Sequence, residues 1–456
     1  MAIQAPEGTK DLLPGEARFW EDFKRIAAEG FGRYGYVQIE TPIFETTELF
    51  VRGIGEATDV VSKEMFQAVT GENLQKLIAG EPIKNKSRLS LRPEGTAGVV
   101  RAAAQHDLVP QGAAPAKLMY AGQMFRAERP QKGRQRQFNQ VGVECLGAES
   151  SSIDAEVVIM LMRFFETLGI PAEVTRLYVN SLGCDDCRPA YRDRLYQFLQ
   201  DQKAGLCEEC LRRAEANPLR AFDCKNPGCA ETMKSAPLIA EHLCDPCSQH
   251  YSQVKAYLKT ANIAFEEASH LVRGLDYYTR TVFEVQVTEG LGSQNAIGGG
   301  GRYDKLMEEV GGRPTPGIGF AVGYERCVLA LQAAGHQFPS AFVCDAFVAC
   351  VDDSAREKAF EIMQILRDGG LAADMDHQGR SLKSQFKLAD KQGASLVLIL
   401  GPDEMAQGSL KLRDMESHEE TVVRFDQISP CCAGLLALPA SERAAHFTNV
   451  VFNQKI

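Results

Sequence analysis

At 456 residues, with 45% hydrophobic and 24% charged residues, the chain is long enough for two or three domains, each with its own core. Its formal net charge of −10 excludes a generally basic nucleic-acid binder and leaves room only for a local basic footprint. The longest apolar runs, such as SLVLILG at 395–401, are far too short to span a bilayer. The start, MAIQAPEGTK, has no basic segment ahead of an apolar run, so a cytoplasmic location is expected and a secretory signal is not.

Residues 15–33 read as an amphipathic helix with Phe19, Phe23, Ile26 and Ala27 on one face. Gly35 ends it, and YVQIETPIFE follows as an extended run in which Pro42 marks an edge or a bulge. Residues 63–70 and 87–93 read as strands around a polar insert, GENLQKLIAGEPIKNK at 71–86, to which no role attaches. In LRPEGTAG at 91–98, Glu94 and Thr96 stand where they would cap a helix through 99–105.

The densest charge lies at 124–144, MFRAERPQKGRQRQFNQVGVE. Arg126, Arg129, Lys132, Arg134 and Arg136 put five positive charges into eleven residues, against Glu128 alone. Pro130 and Gly133 mark a turn, and MYAGQMFRAE and QFNQVGVECLG on either side alternate as half-buried strands do. A solvated basic hairpin is the plainer reading of such a run. Against it, Arg126, Glu128, Gln140 and Glu144 are read inside strands with apolar neighbours. At strand spacing Arg126 and Glu128 share a face, as do Gln140, Gly142 and Glu144. A face that mixes arginines and carboxylates suits a ligand carrying both charges.

Residues 152–168 form a helical pattern with Ile153, Val157, Met160, Leu161 and Phe164 at core spacing. Composition then changes abruptly. Four close cysteine pairs follow, Cys184/Cys187, Cys207/Cys210, Cys224/Cys229 and Cys244/Cys247, and mark an inserted subdomain. The nineteen residues between the first two pairs fit a zinc-ribbon spacing, so structural Zn²⁺ is expected, with reduced structural thiols or a redox function as the alternatives. The run Gly298–Gly301 is no phosphate loop, since no GK[ST] follows it; its glycines let a strand pass close to a ligand. From residue 342 a strand, a helix at 354–368, a second helix at 381–392 and the strand SLVLIL form a small α/β unit. Lys383, Lys387 and Lys391 recur every four residues on that second helix, as a solvated face or a nucleic-acid contact.

Four of these segments carry a resemblance. FRAERPQKGRQRQF resembles motif 2 of the class II aminoacyl-tRNA synthetases in the form found in bacterial-type histidyl-tRNA synthetases. LVRGLDYYTRTVFE at 271–284 and GGGGRYDKL at 298–306 resemble that family's histidine signature segments, and GIGFAVGYERC at 317–327 resembles motif 3. The helix and strand up to Pro42 look like motif 1, which in the family builds a homodimer interface. The resemblance implies an α+β fold: an antiparallel class II sheet with flanking helices, a small cysteine-rich insertion and a C-terminal α/β domain. The corresponding division is 1–180 and 263–336 for the catalytic core, 181–262 for the insertion, 340–430 for an anticodon-binding domain, and 431–456 for a tail without a readable pattern.

The implied activity is the joining of histidine to ATP, with Mg²⁺, and transfer to the 3′ end of tRNA. By resemblance the catalytic arginines are Arg126, Arg273 and Arg326. Glu128 and Arg136 join Arg126 and Arg326 on ATP. Glu94, Thr96 and Gln140 face the histidine ammonium, while Glu144, Tyr277, Tyr278 and Tyr303 form the imidazole pocket. Arg129, Gln131, Lys383 and Lys387 are placed on tRNA. Ala127 and Asn139 stand where relatives often carry bulkier residues or His. A non-catalytic, histidine-sensing paralogue is the second reading; such paralogues tend to lose the arginines and the C-terminal domain, and both are present here. A zinc-ribbon nucleic-acid adaptor would explain the cysteines alone.

Overall fold

An eight-stranded sheet carries the first of two units, which comprises Met1–Asp11 and Trp20–Gln337. The computed structural model describes residues 3–56, 58–224, 226–292, 295–336, 344–439, 441–443 and 447. The strands lie in the order Val37–Gln38, Ala116–Phe125, Gln137–Leu146, Gly317–Gly323, Ala296–Arg302, Thr279–Val287, Thr175–Ser181 and Glu266–Glu267. The pair at each rim is parallel, and every pair between them is antiparallel. The class II sheet is therefore mixed, with short parallel strands closing an antiparallel centre.

That centre is covered on both faces. Val141 to Leu146 are all buried, so the alternation expected of a half-buried strand is lost where the sheet is deepest. The Pro14–Gly32 helix buries Phe23, Ala27 and Phe31. Phe23 meets Phe164 of the Ser151–Leu168 helix edge to face, with ring centroids 5.3 Å apart. The latter helix is capped by Ser150, which accepts from the Ser152 N–H at 3.2 Å, and stops at Gly169, whose φ of +85° is left-handed.

The polar stretch 71–86 contains a helix, Gly71–Ile78, capped by Thr70. It is exposed and adjoins a small sheet in which Leu89–Leu91 lies between Phe44–Thr46 and Gln67–Ala68. The insertion is helical. Arg188–Asp201, Glu208–Ala216 and Pro227–Met233 gather around Tyr191, Leu195, Cys210, Met233 and Ile239, and Asp245–Thr260 leads back to the sheet. At that return a buried network forms. Arg302, with no exposed surface, donates to Asp154 and Asp304, and Asp154 also bonds His250 at 2.8 Å. Burial raises the Asp154 carboxyl, but His250 and the Arg302 charge outweigh it and hold it below its ordinary range.

The second unit comprises Leu12–Phe19 and Phe338–Ile456. Its five strands run in the order Ala373–Met375, Ala346–Cys350, Leu396–Leu400, Ser409–Asp414 and Glu420–Arg424. The first three are parallel, with the Arg356–Asp368 and Leu382–Lys391 helices as crossovers, and the last two add antiparallel. The Ile428–Leu436 helix buries Ile428, Cys432 and Leu435 in the same core, so the start of the 431–456 segment is part of this unit. Residues 440, 444–446 and 448–456 of that segment lie outside the described residues. No helix among the described residues is long and apolar enough to cross a membrane.

Candidate active site

The arginine-rich hairpin is built as a ladder that outlasts its strands. Ala116–Phe125 pairs with Gln137–Leu146 through Phe125 and Gln137, and the Arg126 N–H adds one further bond to the Arg136 carbonyl at 2.9 Å. Arg126 and Glu128 therefore stand just beyond the strand, not inside it as the alternation suggests. The tip turns at Gly133, with φ +74°, and Gln131 and Arg134 exchange backbone bonds across it. Arg129 and Gln131 are exposed there.

At the root of this hairpin lies a cleft of about 240 Å³. Its lining includes Glu94, Thr96, Arg126, Glu128, Gln140, Glu144, Arg273, Tyr277, Tyr278, Tyr303 and Arg326, so the fold brings together residues up to 232 positions apart in the chain, from Glu94 to Arg326. One end is made of carboxylates and phenols. Glu94 accepts from the N–H groups of Thr96 (2.7 Å) and Ala97 (2.9 Å), tying its carboxylate to the start of the Thr96–Gln105 helix. Thr96 Oγ1 donates to Glu144 Oε1 at 2.6 Å, and the Tyr303 hydroxyl donates to Glu144 Oε2. Glu144 is only 1% exposed. Burial, reinforced by Glu94 and partly offset by these two hydrogen bonds, pushes its carboxyl up to about 8. Tyr277 packs against Tyr278 and Tyr303 with ring centroids 4.6 and 5.6 Å away.

Close approach in this corner requires glycine. A Cβ on Gly319, which faces Glu144 across the ladder, would stand 2.0 Å from Glu144 Oε2. On Gly299 it would stand 2.9 Å from Arg273 Nη1. The glycine run thus lets site side chains lie flat on the sheet.

The other end is cationic. Arg126 Nε donates to the Pro93 carbonyl at 2.9 Å, and its guanidinium lies 5.4 Å from the Phe138 ring centre. Arg273 Nη1 donates to Glu284 at 2.7 Å, while its Nε is buried without a hydrogen-bond partner among the described residues. Arg326 extends from the Tyr324–Ala333 helix and is fixed by the carbonyls of Ala296 (2.6 Å) and Gly133 (3.3 Å). Burial, then the neighbouring Arg134 charge, lower its pKa. A pocket with four guanidiniums, those of Arg126, Arg134, Arg273 and Arg326, toward one end and two buried carboxyl groups at the other matches a ligand that is anionic at one end and offers N–H donors at the other.

Not every expected residue reaches the cleft. Arg136 donates to the carbonyls of Glu128 (3.3 Å) and Glu7 (3.2 Å) and is not part of the lining; Arg134, which binds Glu128 at 2.6 Å, is. Lys383 and Lys387 are exposed on the Leu382–Lys391 helix of the second unit. Asn139 is buried and donates to Glu325 at 2.9 Å. Glu284 and Glu325 line the cleft and were missed. The signal for Glu284 was available: a charged residue inside TVFEVQV, apolar on both sides, as with Glu144.

The cysteines gather in two groups, each able to hold a metal ion: Cys184, Cys187, Cys244 and Cys247, and Cys207, Cys210, Cys224 and Cys229. The pairing is nested, first with fourth and second with third. It corrects the zinc-ribbon reading, which joined the first two pairs, because the insertion's chain leaves and re-enters the sheet side by side.

Comparison with known proteins fits this geometry. Residues 8–327 match the family model for histidyl-tRNA synthetase, and residues 345–432 match that for an anticodon binding domain. The histidine–tRNA ligase of Trichlorobacter lovleyi is 45% identical over 93% of this chain and 97% of its own length. That of Desulforamulus reducens is 43% identical over 94% of this chain and 98% of its own. The apo crystal structure of the S. aureus histidyl-tRNA synthetase superposes with a TM-score of 0.76 at 33% identity, covering 94% of this chain and 99% of that one. With a family model spanning most of its length and relatives this similar end to end, the chain belongs to the histidyl-tRNA synthetase family.

Proposed function

We infer that the chain is a histidine–tRNA ligase that joins histidine to ATP as histidyl-adenylate, releases pyrophosphate and passes the histidyl group to the 3′ end of its tRNA. The observation that carries this reading is the two-ended cleft, with Glu144 buried among Thr96 and Tyr303 at one end and Arg126, Arg273 and Arg326 at the other. In the first step the histidine carboxylate attacks the α-phosphorus of ATP, forming a C–O–P bond as the bond to pyrophosphate breaks. No strong base is needed, because the nucleophile is already ionised. The barrier is the approach of two anions, and fixed guanidiniums lower it by neutralising charge and holding the in-line geometry.

Arg126, which lines the cleft, bridges the carboxylate and the α-phosphate in this reading. Arg273, its Nε still without a partner, serves the same phosphate. Arg326 and Arg134 take the outer phosphates and Glu128 the adenosine, with Arg136 holding Glu128 from behind. ATP enters as its Mg²⁺ complex, which supplies further charge neutralisation. Glu94 and the buried Gln140 Oε1, which has no hydrogen-bond partner among the described residues, receive the histidine ammonium, and Glu144 accepts a ring N–H of the imidazole beside Tyr277 and Tyr278. The exposed Arg129 and Gln131 at the hairpin tip, and Lys383 and Lys387 on the C-terminal unit, contact tRNA. The active form is a cytoplasmic homodimer joined through the motif 1 region. The histidine-sensing reading is disfavoured by the retention of all three arginines in the cleft.

The test is charging. The full chain with ATP, Mg²⁺, labelled histidine and tRNA should yield acid-precipitable histidine, and a chain that binds histidine but never charges tRNA would return the reading to the regulatory paralogue.

A further inference from the structure

The insertion's eight cysteines have no part in the reaction above. In each group four sulfurs lie within 4.8 Å of one another. Four thiolates bound to one Zn²⁺ at 2.3 Å with tetrahedral angles would stand about 3.8 Å apart. The Cys184–Cys187, Cys184–Cys244 and Cys207–Cys224 separations are 3.7, 3.8 and 3.8 Å, and Cys187–Cys244 is 3.2 Å. Sulfurs this close enclose a single ion and leave no room for a multi-iron cluster.

Backbone donors point at them. Cys244 N–H donates to Cys187 Sγ at 3.2 Å, Cys207 N–H to Cys229 Sγ at 3.1 Å, and Asn226 N–H to Cys224 Sγ at 3.5 Å. Such donors favour thiolates over thiols, and metal ligands must be deprotonated. Two sulfurs of each group sit on buried cysteines and two on half-buried ones, so each site is sheltered yet reachable.

Position gives the two groups different roles. Cys184 and Cys187 follow the Thr175–Ser181 strand, and Cys244 and Cys247 open the Asp245–Thr260 helix, so one group clips the root where the chain leaves and returns. The other lies among Cys210, Ala214, Ala221 and Cys229 of the insertion's own small core. A core of this size usually needs a staple to persist. The insertion also holds the histidine loop: Arg188 donates to the Tyr278 carbonyl, and Arg220 donates to Asp276 and to the Gly274 carbonyl, both at 2.9 Å.

We propose that the insertion carries two structural zinc ions, a root ion on Cys184, Cys187, Cys244 and Cys247 and an inner ion on Cys207, Cys210, Cys224 and Cys229. Metal analysis of the full chain, purified under reducing conditions without chelator, should find about two zinc per chain, given how tightly four-thiolate sites hold the ion. Cys207→Ser with Cys210→Ser should leave one zinc, held at the root. Less than roughly a tenth of an equivalent of zinc in the unaltered chain would overturn the proposal, since four-thiolate sites survive purification. Iron in place of zinc would overturn it, and so would a double variant that keeps both ions.

Discussion

Glu144 is the residue on which the carboxylate end of the cleft turns. A carboxyl with 1% exposure and no cationic hydrogen-bond partner among the described residues is costly unless a ligand uses it, and its two hydrogen bonds, from Thr96 and Tyr303, leave lone pairs on both oxygens. Glu144→Gln keeps the shape but puts a permanently neutral amide where the carboxyl, raised to about 8 by burial, can still ionise against a bound imidazole N–H. It should raise the KM for histidine by about 10- to 100-fold, the range of a lost charged hydrogen bond, while KM for ATP changes little. An unchanged histidine KM would leave Glu144 a structural residue. Its titration offers an independent check. The carboxyl's ordinary value is 4.5 and burial raises it to about 8 in the fold. Folding therefore takes up a proton between those values, and stability contributed at low pH is lost as pH rises through that window. The melting temperature of Glu144→Gln relative to the unaltered chain should climb from pH 5 to pH 8.5, and parallel profiles would contradict the burial argument. At the cationic end, Arg273→Ala should slow adenylate formation on the order of 10²-fold, as loss of one preorganised donor does, with histidine KM nearly unchanged. A full single-turnover rate would remove Arg273 from the reaction. Glu144 and Arg126 were legible because each is a charge between apolar neighbours, a pattern that burial must answer, whereas Arg273 came from the family resemblance alone. Arg134 was not, since the cations between Pro130 and Gln137 have no apolar neighbours to rank one above another, and the resemblance pointed to Arg136 instead.

Among the elements, the Ala296–Arg302 strand does two jobs. Its glycines admit Arg273 to the site face, and Arg302 at its end anchors it to the Ser151–Leu168 and Asp245–Thr260 helices through Asp154 and His250. Asp154→Ala leaves the Arg302 charge buried with only Asp304 opposite, and should cost about 3–5 kcal/mol of stability, measured by urea unfolding. A loss below about 1 kcal/mol, as for an exposed pair, would show that Asp304 suffices alone. Sequence periodicity named the helices near 15–33, 99–105, 152–168, 354–368 and 381–392 and the two hairpin strands, because each repeats a simple pattern along its length, and it named none of the insertion's helices. It missed Ala373–Met375, Ser409–Asp414 and Glu420–Arg424, short strands with polar residues on the open side. It also joined the wrong cysteine pairs, since spacing along a chain says nothing of which crossings lie side by side.

For the whole molecule, the sheet assembles an anion-neutralising end and a buried carboxylate end from segments scattered between Glu94 and Arg326. That scatter explains why composition and periodicity alone did not give the site, whereas each of the four motifs brings residues to the cleft's lining. It also predicts selectivity, because a buried acceptor built for a substrate N–H rejects analogues that leave it unpaired, often by about 10⁴-fold. The proposed function requires that this cleft activate histidine and no other amino acid. ATP–pyrophosphate exchange measured with each of the standard amino acids in turn tests it most directly. Histidine alone should support exchange, and the Glu144→Gln chain should show that preference reduced by about 10- to 100-fold. Exchange with a different amino acid, or none with histidine, would contradict it.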